Sequence, residues 1–482
     1  MGLIAVAIPI GMLFGAIPGL GGKLGIVLMI PFVFGMDPVA GAVFLLAMHS
    51  VVHTGGSIPS ILLGVPGTGP DAATICDGYP MAQRGEAGRA LGASLGASGV
   101  GGVIGAFVLA LLIPIVKPLV LAFGPAEFFF LAVLGITFIA AVSEGSLIKG
   151  LVVGAFGLML SFVGEDPVTG IARFTFGRLF LWEGLDVVTA IMGLFALPEM
   201  IALAVRGGAI SAVSREAGRY RFNDLLAGVA DVFRHGWLTV RTSIIGAVIG
   251  MIPGLGGDVA AWMCYGHAVQ SSKTPERFGK GAVEGVIAPE TANNSKEGGA
   301  LLPTLFFGIP GSSGMAVMLG ALLMLGIQPG PDIVLNRLDL VWTLIWTLVI
   351  ANLLAVVMFL GIGRWLALVV FVRAGLLVPF ILLLAMTGSY LSSGNWQSLV
   401  VLVMLGAIGY GFKILDWPRA PFVIGVILGK VMEISLHQSL AIWGPGFFLR
   451  PISLVLIALI AGSMGIALRR ARDGGKGTPY AA

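Results

Sequence analysis

The chain has 482 residues, 57% of them hydrophobic and 11% charged, with a formal net charge of +4 and a mean hydropathy of +1.00. Soluble domains carry about 25% charged residues, so this chain has too little charge to cover a water-facing surface. A net charge this small for the length argues against a nucleic-acid surface, and two cysteines, Cys76 and Cys264, are too few for a disulfide framework or a zinc cluster.

The first apolar stretch lacks a basic leader region and carries Gly15-Ala16-Ile17-Pro18-Gly19-Leu20-Gly21-Gly22. That assigns it to the mature fold rather than to a cleaved signal. A second Pro-Gly phrase, Gly64-Val65-Pro66-Gly67-Thr68, closes the short apolar run 57–65. Runs at 91–113, 119–142 and 147–163 have about the length that spans a hydrocarbon core. Gly92-Ala93-Ser94-Leu95-Gly96 fits the pattern of a nucleophile elbow, but that motif needs a strand–turn–helix. Here it lies in a small-residue apolar helix, where close helix packing is the better reading. The polar stretch 206–241 holds six arginines against Glu216, Asp224 and Asp231, and its basic excess predicts a cytoplasmic linker.

Beyond the linker the phrases return in order. Gly250-Met251-Ile252-Pro253-Gly254-Leu255-Gly256-Gly257 matches the first at seven of eight positions with an offset of 235, and Gly308-Ile309-Pro310-Gly311-Ser312 matches the second. A weaker pair is Gly154-Ala155-Phe156-Gly157 with Gly406-Ala407-Ile408-Gly409. The polar segment 271–280 accounts for the longer spacing between phrases in the second half and should lie near an aqueous face. Runs at 341–362 and 452–468 are again long enough to cross.

These features predict an all-α polytopic membrane protein with broken or re-entrant helices at its Pro-Gly motifs, crossing roughly ten to twelve times. The first repeat covers 1–205, the linker 206–241, the second repeat 242–450, and an extra C-terminal helix with a cytoplasmic tail 451–482. The tail is basic like the linker, which places both on one side. An inverted repeat needs an odd number of crossings per half, and a helix outside the repeat after Arg450-Pro451 reconciles the two. Parallel repeats remain the alternative.

Duplicated halves with broken helices point to a secondary transporter. A Gly-rich break aims backbone N–H groups and a helix N-terminus at an anion, and its freed carbonyls can hold a cation. The candidate substrate-binding residues are Gly55, Gly56, Ser57, Pro66, Gly67, Thr68, Asn293, Asn294, Gly299, Pro310, Gly311 and Ser312. The candidate cation-binding residues are Gly19, Gly21, Gly254, Gly256 and Asp258, for Na⁺ or H⁺. His49 and His53 share a helix face by their i,i+4 spacing; with no third ligand evident, cavity lining or proton relay is a better reading than metal binding. Glu284 and Glu290 would sit at an aqueous mouth. No phosphate loop is present, because Gly279-Lys280 is followed by Gly281 where Ser or Thr is required; no cofactor other than the coupling ion is expected.

The chain resembles the large membrane subunit (TctA) of tripartite tricarboxylate transporters. The resemblance rests on Pro18-Gly19-Leu20-Gly21, Gly55-Gly56-Ser57-Ile58, Asp77-Gly78-Tyr79-Pro80-Met81-Ala82 and Gly88-Arg89-Ala90-Leu91-Gly92. In the second half it rests on Phe278-Gly279-Lys280-Gly281, Ala288-Pro289-Glu290, Ala292-Asn293-Asn294, the run from Gly298 to Leu305, Gly308-Ile309-Pro310-Gly311 and Pro329-Gly330-Pro331. It implies a permease of the bacterial inner membrane importing carboxylates on a cation gradient. It also implies two partners, a small membrane subunit and a periplasmic substrate-binding protein. A stand-alone carrier or channel is the alternative within transport, and a membrane-embedded hydrolase using Ser94 the alternative outside it. Three places depart from the family pattern: Met48-His49-Ser50-Val51-Val52-His53-Thr54, Gly64, and Ser295-Lys296-Glu297. They bear on the substrate rather than on the fold.

Overall fold

The computed structural model describes residues 1–17, 20–142, 147–206, 221–369 and 374–472. In chain order the first helices are α1 (Gly2–Ala16), α2 (Gly21–Val33), α3 (Pro38–Ser50), α4 (Val52–Leu63), α5 (Ala72–Gln83), α6 (Ala87–Leu121), α7 (Pro125–Val142) and α8 (Leu147–Ser161). They are followed by α9 (Val187–Ile191), α10 (Leu197–Arg206), α11 (Phe222–Arg234), α12 (Gly236–Met251), α13 (Gly256–Ser271) and α14 (Glu284–Phe307). The last are α15 (Ser313–Met324), α16 (Pro331–Asn336), α17 (Leu338–Val369), α18 (Ala374–Ser393), α19 (Gln397–Ile414), α20 (Ala420–Trp443) and α21 (Pro451–Arg472).

Among the described residues six helical segments are long and apolar enough to cross a membrane: Pro38–Leu63, Ala87–Leu121, Val187–Val205, Leu338–Gly361, Gln397–Ile414 and Ala420–Leu449. Eight shorter apolar helices accompany them. The fold is the all-α, membrane-spanning class that the composition predicts. One small departure is a two-stranded antiparallel ribbon, Gly164–Glu165 with Ala172–Arg173. The apolar run 119–142 is also divided. Pro125 opens α7, and the Glu127 carboxylate accepts from the Gly124 N–H at 2.8 Å, fixing the turn before it.

The chain forms two compact units, each assembled from both halves of the sequence. The first comprises Met1–Lys117 and Glu199–Leu391, the second Pro118–Pro198 and Ser392–Ala482.

In the second unit glycines bring helix backbones together. A Cβ on Gly157 of α8 would strike the Phe422 carbonyl of α20, and one on Gly409 of α19 would lie 2.9 Å from the Leu194 carbonyl. These are the positions of the weak third repeat. Arg173 forms a two-pronged ion pair with Glu433 at 2.6 and 2.9 Å. Arg450, at the expected boundary, donates to buried Glu127 at 2.7 Å and stacks over Trp443 at 4.2 Å.

The first unit contains all four Pro-Gly breaks, and the repeated phrases fold alike locally. α1 and α12 both stop at an isoleucine in extended conformation, Ile17 and Ile252. α2 and α13 both restart at a left-handed glycine, Gly21 at φ +63° and Gly256 at φ +65°; this conformation is nearly free for glycine and costly for other residues. Pro18 and Gly19 lie outside the described residues. The second pair of breaks matches as closely. α4 ends at Gly64 (φ 66°, ψ 24°) and α14 at Gly308 (φ 67°, ψ 20°). The Ser60 hydroxyl donates to the Gly56 carbonyl at 2.9 Å and accepts from Gly67 N–H at 3.4 Å. Thr304 does the same with the Ala300 carbonyl at 2.6 Å and Gly311 N–H at 3.3 Å.

Around Ser94 the helix is unbroken, and the small residues are packing contacts as read. Gly92 and Gly96 of α6 lie against Leu225, Val229 and Val232 of α11, and Ser94 itself is buried. Arg89 closes this contact with an ion pair to buried Asp231 at 2.6 Å. α11 and the start of α12 fall inside the stretch read as linker; its residues 207–220 lie outside the described set.

Candidate functional site

The broken helices of the first unit surround a buried polar cluster. His49 ends α3 and His53 lies in the first turn of α4; Asn293, Asn294, Lys296 and Glu297 sit in the middle of α14, and all are buried. His53 Nδ1 lies 3.1 Å from Thr68 Oγ1, and His53 Nε2 lies 3.1 Å from Glu297 Oε1. His49 Nε2 is 3.5 Å from the same oxygen, and Lys296 Nζ donates to it as well. Thr68 in turn donates its hydroxyl to Asp71 at 2.6 Å and its N–H at 2.9 Å. The Asn293 amide completes the Asp71 shell at 2.9 Å. A continuous chain of polar contacts thus runs from Asp71 through Thr68 and His53 to Glu297 and Lys296.

Helix starts close around this chain. The His49 ring is wedged between α2 and α15: a Cβ at Gly22 would lie 2.7 Å from its Nδ1, and one at Gly314 2.7 Å from its Nε2. At the start of α13, Gly257 faces Lys296 Cε at 2.9 Å and Asn293 Oδ1 at 3.2 Å by the same measure. Asp71 immediately precedes α5. Four helix N-termini, two from each half, therefore present their partial positive ends toward the cluster.

The cluster also joins the two halves at equivalent positions. The offset between Gly64 and Gly308 is 244, and the same offset maps Ser50 onto Asn294 and His53 onto Glu297. Both pairs touch: Asn294 Nδ2 donates to the Ser50 carbonyl at 3.1 Å, and His53 meets Glu297 as described. Under a two-fold relation a residue can contact its own image only near the axis, so these contacts mark where such an axis would run.

The candidate residues distribute unevenly. Thr68 and Asn293 belong to the cluster. Asn294 turns to Ser50, Thr54 and Asn352, and Ser57 bonds back to the Thr54 carbonyl at 2.9 Å. Gly55 and Gly299 press on the backbones of Met12 and Ala247. A Cβ at Gly67 would lie 2.5 Å from the Gly15 carbonyl oxygen, and one at Gly311 2.7 Å from the Gly250 carbonyl oxygen. Close backbone packing by itself therefore requires these glycines. Gly56 lies beside the Asp71 carboxylate. Pro66 is exposed and Pro310 buried, while Ser312 caps α15 through Met315 N–H at 3.1 Å. Of the cation candidates, Gly254 N–H donates to the Gly311 carbonyl at 3.1 Å, Gly21 and Gly256 are the restart positions, Asp258 is exposed beside Gly69, and Gly19 lies outside the described residues.

Three corrections to the sequence reading follow. A third donor does stand beside the histidines: His49, His53 and Glu297 offer ligand atoms within 4.8 Å of one another. The Lys296 ammonium donates to Glu297 Oε1, the oxygen nearest the two histidines. Glu290 is not at an aqueous mouth. It is fully buried, accepting from Thr74 at 2.6 Å and Ser98 at 3.1 Å. Asp71 was missed altogether; its signal was an acid four residues past the Pro66-Gly67 break, just ahead of a helix. Two departures from the family pattern, one at 48–54 and one at 295–297, meet here in space.

The family model described as "Tripartite tricarboxylate transporter TctA family" matches residues 1–424. A protein of Agrobacterium vitis, described as an uncharacterized 52.8 kDa protein in the TAR-I ttuC' 3' region, is 33% identical over 467 residues, covering 96% of this chain and 92% of the relative. A second protein of that organism, from the TAR-II ttuC' 3' region, is 34% identical over 198 residues, covering 41% of this chain and 81% of the relative. No solved structure matches the chain. With a family match over most of its length, and with its broken apolar helices closing on a buried polar centre, the chain belongs to the TctA family of tripartite tricarboxylate transporters.

Proposed function

We propose that the chain is the permease of a binding-protein-dependent importer in a bacterial inner membrane, moving di- or tricarboxylates with a cation gradient. It works with a small membrane subunit and a periplasmic substrate-binding protein. The observation that carries this reading is the meeting of equivalent residues from both halves in one buried polar cluster ringed by helix N-termini. A carboxylate cannot cross about 30 Å of hydrocarbon unescorted. Oriented N–H dipoles and a buried ammonium supply the compensating charge. Contacts between image residues such as His53 and Glu297 fit halves related by a two-fold axis through the site; with that axis in the membrane plane the halves are inverted, and the site stays fixed while the two sides open alternately.

The test is uptake of radiolabelled citrate, succinate and malate into vesicles that hold this chain with its two partners. Uptake should require the binding protein and an imposed gradient of Na⁺ or H⁺. Full accumulation with both gradients collapsed would refute cation coupling, and uptake without the binding protein would favour a stand-alone carrier.

A further inference from the structure

We propose that the coupling ion is a proton, and that it is bound by Glu297 when the substrate takes Lys296 away. This rests on the carrier reading above and assigns its site. Lys296 is a buried ammonium whose bond is to its own neighbour, Glu297 Oε1. That carboxylate is a built-in stand-in for a substrate carboxylate. Its second oxygen, Oε2, is buried with no hydrogen-bond partner, and so are both ring nitrogens of His49. The site therefore contains a carboxylate oxygen that lacks a donor, and an imidazole with unsatisfied nitrogens, beside an ammonium that has an exchangeable partner.

The exchange balances. A substrate carboxylate replaces Glu297 on the Lys296 ammonium, so one ion pair breaks and an equivalent one forms. Glu297 is then a buried carboxylate without a counter-ion, which is costly unless it is neutralised. One proton from the aqueous side bonds to its oxygen, passed by His53 Nε2 at 3.1 Å or His49 Nε2 at 3.5 Å. On release the substrate carboxylate leaves Lys296, Glu297 gives up the proton to the other side, and the internal pair closes again. One proton is bound for the one substrate carboxylate that Lys296 takes, and that exchange leaves the charge of the Lys296–Glu297 pair unchanged.

Glu297 is the acid whose partner the substrate displaces, because it is the one bonded to Lys296; the other charged groups nearby are held elsewhere. Asp71, ahead of α5, is held by three donors, and Glu290, earlier on α14, by two hydroxyls. Lys23 of α2 acts on His49 electrostatically, and Asp258 of α13 is exposed by Gly69.

The test compares wild type with Glu297→Gln and Glu297→Asp in vesicles containing both partners, each checked for normal insertion and a monodisperse elution profile. Two quantities are read: citrate accumulation driven by an inside-alkaline pH gradient, and citrate–citrate exchange with no gradient. Glu297→Gln should lose gradient-driven accumulation while exchange remains measurable, and Glu297→Asp should recover accumulation. Accumulation by Glu297→Gln equal to wild type would overturn the proton assignment and leave the carrier reading standing. Loss of exchange together with accumulation would also overturn it, since Lys296 and not Glu297 is the substrate's partner. If wild type neither accumulates nor exchanges citrate, succinate or malate, the carrier reading itself fails.

Discussion

Replacing Asp71 tests whether the cluster is held together as described. Its carboxylate is fully buried and satisfies three donors, Thr68 N–H, Thr68 Oγ1–H and Asn293 Nδ2–H. The hydroxyl can rotate to another acceptor; the N–H cannot, and with an alanine at 71 the amide has no acceptor there to turn to. Asp71→Ala leaves those two buried donors unpaired, at about 1–3 kcal/mol each, so the loss is about 2–6 kcal/mol. Asp71→Asn is milder. Its oxygen can keep the Thr68 side, and Asn293 can turn its amide so that Oδ1, unpartnered in the structure, accepts from the new side chain. The order of stability should be wild type, Asp71→Asn, Asp71→Ala, read as the temperature at which half the detergent-solubilised protein loses its monodisperse elution peak. The pair Asp71→Asn with Asn293→Asp restores one acid and one amide and should recover stability beyond the sum of the singles, a coupling expected only of groups in contact. Equal stability of Asp71→Ala and wild type, or strict additivity in the cycle, would refute the bonding scheme.

Alanine at Gly67 or Gly311 should lower the amount of folded protein in the membrane, because the new Cβ meets backbone 2.5 and 2.7 Å away and neither side can yield; overpacking costs about 1–3 kcal/mol. Quantitative blotting of membrane fractions measures it, and normal levels of both variants would sink the packing argument. His235, between α11 and α12, has its pKa raised by the neighbouring Glu284 carboxylate. A raised value stabilises the fold below the free histidine value of about 6.5 and loses that contribution as pH rises through the raised value. The thermal-stability gap between wild type and His235→Gln should therefore be present at acid pH and close on the alkaline side; a gap that widens with pH would reverse the assignment. A cysteine at Arg221 should be labelled by an impermeant reagent only after cells are opened, and labelling of intact cells would invert the proposed topology.

The departures from family pattern show how far sequence reading reaches. His49 and His53 were legible as a pair by their spacing, and Ser295-Lys296-Glu297 as a departure from the pattern of the family the chain resembles. That the two belong together was not legible. His53 and Glu297 are 244 residues apart, the offset between Gly64 and Gly308, but an offset only says that positions correspond, and corresponding positions touch only beside a symmetry axis. Glu290 was misread for a related reason. A lone acid beside apolar residues looks solvated until the hydroxyls of Thr74 and Ser98, from two other helices, are brought to it.

The sequence by itself determined the membrane-spanning helical class and the four breaks. Hydrophobic run length, Pro and Gly act locally, through bilayer thickness and through the backbone angles that those residues allow. The matching φ values at Gly64 and Gly308 follow from matching local sequence. Only the tertiary structure decided which glycines serve close packing and which polar groups face one another. It also set the grouping into units, each drawn from both halves of the chain. Those outcomes depend on helices distant in sequence arriving side by side, where a missing Cβ or a buried donor acquires meaning from its neighbours.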